Sequence, residues 1–416
     1  MIKKYFILTY IARAGQIGSQ FLIMIMVNNF SPGGVYTYGQ LTIIISTAGM
    51  ISSLLTMRTG EAVTKFLIEA NEENKEYNYK TILYSGMSAD IALSLLVLLI
   101  VFLTLDTIGI HLLKTSEFKK AIFLYGIISA IDILRGVPTS YFQSIKRFTW
   151  INGMIIFRSF FHMVLLGFAF YIGYNDLTSI VICVLIVSVL SFLIDYCYFI
   201  IKAHDSLFSR DKINRQLVKK YFKFNFVTFI STSIKAGNQH MGQLILGYFL
   251  SPLVVGTYQT LKRLTFPIIF MATPFQLIYY PQIVKWAFEK SSRLTINIRR
   301  SISLLSLIGI LYGFILLIFL KPILYLVGIE YDGQFYFYVS LIVITVIAQN
   351  GQWWSRSFSN AVNPVLSVVS NLIATIFQLT IVSGITYYFG MTGFLLSQML
   401  LATLLMIFWL GRLNAF

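Results

Sequence analysis

The most constraining feature of this sequence is a succession of apolar runs, each about 20 residues long, that follow one another from residue 6 to residue 410 with only short polar joints. A run of that length crosses the hydrocarbon core of a bilayer as a helix, and a helix satisfies its own backbone where water cannot. The pattern predicts twelve spans, at 6–30, 35–57, 81–104, 121–141, 150–173, 177–201, 222–250, 253–281, 301–320, 335–353, 364–388 and 392–410. Only 12% of the residues are charged and 57% are hydrophobic, so no segment remains for a soluble domain of any size. The expected fold class is an all-α integral membrane protein.

Lys3 and Lys4 precede the first run as they would in a signal peptide. Arg13 interrupts that run, however, and no small-residue cleavage site follows, so a retained first helix is expected. The formal net charge of +16 raises the question of a nucleic-acid partner. With the N-terminus inside, 22 of the 32 Lys and Arg residues fall in cytoplasmic joints, only Lys114, Lys119, Lys120 and Lys321 fall outside, and six lie within spans. That asymmetry is the positive-inside pattern, so the basic excess records orientation, not nucleic acid, and both termini are expected in the cytoplasm. Cys183 and Cys197 share one predicted helix about 21 Å apart, too far for a disulfide.

The longest polar cytoplasmic stretch, Lys202 to Lys220, divides the chain into two sets of six helices, 1–210 and 211–416. Shifting the sequence by 220 residues aligns Ser31, Pro32, Val35, Thr37, Tyr38, Leu41, Lys65 and Glu69 with Ser251, Pro252, Val255, Thr257, Tyr258, Leu261, Lys285 and Glu289 without a gap. Because six is even, equivalent helices point the same way, and two parallel lobes related by an axis along the membrane normal are expected. Two such bundles around a central cavity form a transporter architecture; a duplication kept only for stability is the alternative.

Arg13 and Gly15 in the first span, the run Gly34-Val35-Tyr36-Thr37-Tyr38-Gly39-Gln40 opening the second, and Gly60 followed by Lys65-Phe66 carry a family likeness. They resemble the start of bacterial polysaccharide-unit (O-antigen) flippases, within the multidrug/oligosaccharidyl-lipid/polysaccharide (MOP) exporter superfamily. The resemblance implies a MATE-like fold of two six-helix lobes that moves an undecaprenyl-diphosphate-linked oligosaccharide, an O-antigen or capsule repeat unit, across the bacterial cytoplasmic membrane. It also implies membrane lipid, a polysaccharide polymerase and chain-length machinery as partners, and no cofactor. Many relatives carry an acidic residue two positions before the equivalent of Gly60, where this chain has Arg58.

Six cations within spans, Arg13, Arg135, Arg158, Lys235, Lys262 and Arg263, outnumber the three carboxylates Asp90, Asp132 and Asp195. Each such cation costs about 2.5–3.5 kcal/mol at a helix centre, so a surplus of this kind points to a cavity that accepts an anion. Arg13, Gln16 and Gln20 recur at i, i+3 and i+7 on one helical face, as a cavity wall or an interhelical hydrogen-bonding seam. The repeat-equivalent helix carries Lys235, Gln239 and Gln243 one turn apart, again as a polar stripe. Lys262 and Arg263 stand deep on the next span, facing a cavity or snorkelling. Asp132 and Arg135 are spaced to pair with each other. Arg158 and His162 share a face and need a counter-charge, from a diphosphate or from Asp195. Asp90 and Asp195 are candidates for proton coupling or for salt bridges to cavity cations. Pro267, Pro274 and Pro281 recur every seven residues and make their helix a candidate hinge. Trp353 and Trp354 beside Arg356 read as an interfacial belt. His162 and His240 lack metal-ligand company.

Two other functions compete with the flippase. A multidrug cation exporter of the same superfamily favours an acidic cavity, and Arg13 argues against one. A membrane glycosyltransferase or polysaccharide polymerase needs carboxylates in substantial outer loops. The outer joints 105–120 and 321–334 offer only Asp106, Glu117, Glu330 and Asp332.

Overall fold

The computed structural model describes residues 2–55, 59–72, 79–209, 212–289, 293–363 and 365–415, and all regular structure among them is helical. The chain forms two compact units, Met1–His240 and Met241–Phe416, so the polar stretch at 202–220 falls inside the first.

The first unit is built from α1 (Ile2–Phe30), α2 (Val35–Leu55), α3 (Thr59–Glu72), α4 (Tyr79–Thr107), α5 (Lys119–Leu134), α6 (Gly136–Ser144), α7 (Phe148–Tyr171) and α8 (Leu177–Leu207), together with the first part of α9 (Arg215–Phe249). A π-helical turn, Ile108–Leu113, extends α4 and stops at Lys114, whose φ is +59°. Gly34, at φ +51°, makes the tight turn from α1 into α2 possible, since a Cβ there would stand 3.0 Å from the Asn28 carbonyl. Asp176 caps α8, its carboxylate accepting from the backbone N–H groups of Thr178 and Ser179. A buried cluster that includes Phe66, Leu67, Ile82, Leu83, Phe142, Phe199 and Tyr221 ties α3, α4, α6, α8 and α9 together.

The second unit continues with α10 (Pro252–Leu264), α11 (Phe266–Phe288), α12 (Arg293–Ile318), α13 (Leu320–Leu326), α14 (Gln334–Asn350), α15 (Ser355–Val362), α16 (Val365–Phe377) and α17 (Ser383–Asn414). Its core contains Ile283, Leu294, Ile298, Trp353, Trp354, Phe358 and Trp409. Trp354 is fully buried and Trp353 is 5% exposed, which corrects the expectation of an interfacial belt. The two indoles turn inward because the chain breaks between α14 and α15 at this point, and Trp354 Nε1 finds the Gly351 carbonyl at 2.9 Å inside the fold.

Among the described residues, nine helices are long and apolar enough to cross a membrane. One of them, Val365–Asn414, is 50 residues long and bends at Gly390, φ +60° and ψ −143°, between the expected spans 364–388 and 392–410. The expected spans 222–250 and 253–281 fall on α9 and on α10–α11. Helix α3 lies in a segment expected to be a loop; its buried face, Ala62, Val63, Phe66 and Leu67, packs on α4 and α6.

The 220-residue offset has counterparts in each unit. Lys65 pairs with Glu69 at 3.8 Å on α3, and Lys285 pairs at 3.8 Å with Glu289, the residue that caps the C-terminal end of α11. Helix α3 packs on α6, and α11 packs on α15. At the start of α10, Ser251 caps the helix and Pro252 occupies its first turn, where a missing N–H is harmless.

Candidate functional site

Five helices of the first unit, α1, α5, α6, α7 and α8, line a cavity of about 390 Å³. Helix α1 contributes Arg13, Gln16 and Gln20, on the face that their spacing defines, and Arg13 Nη1 donates to Gln16 Oε1 at 2.9 Å. Helix α5 contributes Tyr125, Asp132 and, at its C-terminal end, Arg135. Helix α7 contributes Trp150, Arg158 and His162, and α8 contributes Ser188 and Asp195. A second cavity of about 700 Å³ shares Tyr125, Asp132, Arg135, Thr139, Gln143 and Arg158 with the first, so the α5–α6 junction forms a wall common to both.

Arg135 is neutralised where it stands. Its Nη1 donates to Asp132 Oδ1 at 2.7 Å, and its Nη2 donates to the Ser188 carbonyl and to Ser191 Oγ. The side chain is 6% exposed, and its two terminal amino groups carry the hydrogen bonds that hold the charge there, while Nε is buried without a partner. Arg13 and Arg158 differ: among the described residues neither has a carboxylate within ion-pair distance. Arg158 spends its Nε on the Met154 carbonyl at 3.3 Å, which leaves the two terminal amino groups for the cavity. His162 Nε2 is buried without a hydrogen-bond partner one turn away.

The junction that places Arg135 is held from below. Helix α5 stops at Leu134, Arg135 bridges the gap, and α6 restarts at Gly136, with Pro138 in its first turn. The freed Val137 N–H donates to Asp90 Oδ2 at 3.3 Å, and Thr59 Oγ1 donates to Asp90 Oδ1 at 2.5 Å. Asp90 is 1% exposed, and a Cβ on Gly136 would stand 2.9 Å from its Oδ2. Of the two readings of Asp90, proton coupling or a salt bridge to a cavity cation, no salt bridge is found among the described residues; its partners are a hydroxyl and an amide at the helix restart. Asp195 likewise has no ion pair among the described residues, and instead accepts from Trp150 Nε1 at 3.1 Å.

The structure therefore brings Arg13, Gln16, Gln20, Arg158, Asp132, Arg135 and Asp195 to one cavity and leaves Asp90 beneath it. Gln239 lies on the exposed face of α9. The Lys235 side chain falls outside the described residues, as does the whole of Arg58. In the second unit, Lys262 Nζ stands 5.6 Å from the Tyr258 ring centroid and Arg263 stands 5.9 Å from that of Phe266. Pro267 sits at the break between α10 and α11, where Thr265 Oγ1 donates to the Lys262 carbonyl at 2.7 Å. Helix α11 runs unbroken through Pro274 and Pro281, whose side chains are outside the described residues. Sequence reasoning did not place Trp150, Tyr125 or Ser191 at the site. Trp150 stands eight positions before Arg158 on α7, too far for a single-face pattern to single it out.

Comparison with known proteins places this architecture. An inward-facing multidrug resistance MATE family transporter of the MOP superfamily matches with a TM-score of 0.74, 12% identity, and coverage of 96% of this chain and 95% of that one. The lipid II flippase MurJ, in an inward closed conformation, matches with a TM-score of 0.71 and 15% identity over 99% of this chain and 87% of that one. A MOP superfamily transporter from Pyrococcus furiosus, described as having a binding pocket of reverse polarity, matches with a TM-score of 0.63, 12% identity, and coverage of 98% and 94%. No curated protein sequence matches. The chain thus has the multi-span helical fold of MOP-superfamily transporters. The profile of the polysaccharide biosynthesis protein family matches residues 3–287, and the chain belongs to that family.

Proposed function

We propose that this protein is a flippase that carries a polyprenyl-diphosphate-linked oligosaccharide across the bacterial cytoplasmic membrane by alternating access, with both termini in the cytoplasm and the two halves, 1–210 and 211–416, as its moving bodies. The observation that carries the reading is a cavity within the membrane-spanning helices into which α1, the α5–α6 junction and α7 each send a guanidinium, and among the described residues two of the three, Arg13 and Arg158, have no carboxylate within ion-pair distance. Unpaired intramembrane cations persist where a ligand supplies the counter-charge, and the planar guanidinium matches phosphate oxygens in pairs. A diphosphate diester carries two negative charges, enough to meet Arg13 and Arg158 together. Family membership in polysaccharide biosynthesis makes a lipid-linked glycan the natural source of that diphosphate. Polymerase and chain-length proteins are the partners this role implies.

A cation exporter would use Asp132 and Asp195 instead, but Asp132 is already engaged by Arg135. The test is made in cells. Deleting the gene should cause the lipid-linked oligosaccharide to accumulate, Arg13→Ala and Arg158→Ala should fail to clear it, and Gln239→Ala should clear it. Wild-type glycan export by both arginine variants sinks the reading. Loss of resistance to cationic dyes with no change in the glycan favours the exporter.

A further inference from the structure

Asp195 is the one carboxylate in the cavity that makes no ion pair among the described residues, although Arg158 and Arg135 act on it from a distance, and its orientation is fixed instead by a neutral donor. Trp150 Nε1 donates to its Oδ1 at 3.1 Å. The indole is itself clamped, stacked on Tyr198 with ring centroids 4.0 Å apart and 27° between planes, while Phe142 stands 6.0 Å from Trp150 and 5.2 Å from Tyr198. One carboxylate oxygen is thus fixed by a rigid donor, and no other polar atom of the described residues takes the second.

An oriented acceptor in a polar cavity calls for a hydrogen-bond donor. An anion is repelled there, and a cationic cargo would meet Arg13, Arg135 and Arg158 in the same space. What fits is a neutral donor covalently joined to an anion, and that is a sugar hydroxyl or acetamido N–H next to a diphosphate. The spacing agrees: Trp150 and Arg158 are eight residues apart on α7, about 12 Å along its axis, the reach of a phosphate and one or two sugar rings.

We propose that Asp195, oriented by Trp150, is the acceptor that reads the sugar attached directly to the diphosphate, which makes it a specificity-determining residue of this cavity. The inference rests on the flippase reading above, and it adds a direction: the diphosphate lies toward Arg158 and the first sugar toward Trp150.

The test measures binding of bare undecaprenyl diphosphate, and of the same carrier bearing glucose, galactose, N-acetylglucosamine or N-acetylgalactosamine, to the full-length protein in nanodiscs. Wild type should bind at least one sugar-bearing carrier about tenfold more tightly than the bare carrier, the worth of one charge-assisted hydrogen bond. Asp195→Asn turns an acceptor into a donor at the open position, so that gain should vanish. The bare carrier should bind this variant no more weakly, because a negative charge has left the cavity. Trp150→Phe keeps a ring but loses the orienting N–H, and the gain should fall part of the way. The four sugar-bearing carriers have the same charge, so a purely electrostatic or structural Asp195 would move their affinities together and leave the ratios among them intact in Asp195→Asn, which overturns the proposal. Wild type that binds all four sugar-bearing carriers no better than the bare one overturns it too, while leaving the diphosphate reading standing. Failure to bind any carrier, bare or loaded, refutes the flippase reading itself.

Discussion

Arg158→Ala and Arg135→Ala remove the same group from the same cavity, yet they should have opposite effects on binding and stability. Arg158 holds only the Met154 carbonyl, at 3.3 Å through Nε, and no carboxylate depends on it for an ion pair among the described residues. Its loss should weaken diphosphate binding by about 1.5–3 kcal/mol, roughly tenfold to 150-fold, as one charge-assisted contact disappears. The folded state should hold or gain, since a membrane-embedded cation with a cost of up to about 3 kcal/mol is gone. Arg135 is different, because its removal leaves Asp132 without its ion-pair partner and takes a donor from the Ser188 carbonyl and from Ser191 Oγ, which keep only their bonds within α8. Breaking a buried pair costs about 3–5 kcal/mol, and the lower figure applies because the Asp132 side chain is 56% exposed. Thermal unfolding in detergent should place Arg135→Ala well below wild type and Arg158→Ala at or above it. Undecaprenyl diphosphate binding should separate Arg158→Ala from wild type. Equal destabilisation by the two variants, or unchanged binding in Arg158→Ala, refutes the reasoning.

Asp90→Ala leaves the Val137 N–H and the Thr59 hydroxyl buried without their acceptor, and should lower stability by about 1–3 kcal/mol, read from unfolding temperature. Gly136→Ala should do the same by a different route, as its Cβ would stand 2.9 Å from Asp90 Oδ2, and an Asp90→Ala background should lessen its effect. Trp354→Ala empties a fully buried site in the second unit and should cost about 3–5 kcal/mol; a loss below 1 kcal/mol would contradict its place in the core. Burial pushes the Asp176 carboxyl up, but hydrogen bonds from Ser179 and Thr178 outweigh it and hold the group below the ordinary carboxylate range. Its capping contribution, about 1 kcal/mol, is therefore present at neutral pH and lost as pH falls through that lowered value. Asp176→Ala should lose it at neutral pH and show no further change on acidification from this site, measured by unfolding across a pH series.

Much of the cavity was legible because the membrane makes charge conspicuous. Arg13, Gln16 and Gln20 declare a common face through helical spacing alone, and the Asp132–Arg135 pairing follows from three residues of separation on one helix. What tertiary structure decides was not legible. The partner of Asp195 lies 45 positions earlier in the chain, and Asp90 meets Thr59 31 positions before it and Val137 47 positions after it. No periodicity connects such residues. The polar surroundings of α3 hid a helix whose one apolar face has a core to join. Trp353 and Trp354 misled because aromatic residues next to an arginine look alike whether they face a bilayer interface or a break between two packed helices. The Gly390 bend, by contrast, falls in the short joint that hydropathy marks between the last two spans.

The most direct measurement of the central claim is translocation itself. Purified protein is reconstituted into vesicles with a fluorescent undecaprenyl-diphosphate-linked oligosaccharide, and the fraction of glycan accessible to an external glycosidase is followed with time. Wild type should expose the glycan of the inner leaflet, while Arg13→Ala and Arg158→Ala, folded to the same degree by thermal unfolding, should leave it protected. Glycan exposed equally by wild type, by both variants and by protein-free vesicles would contradict the account.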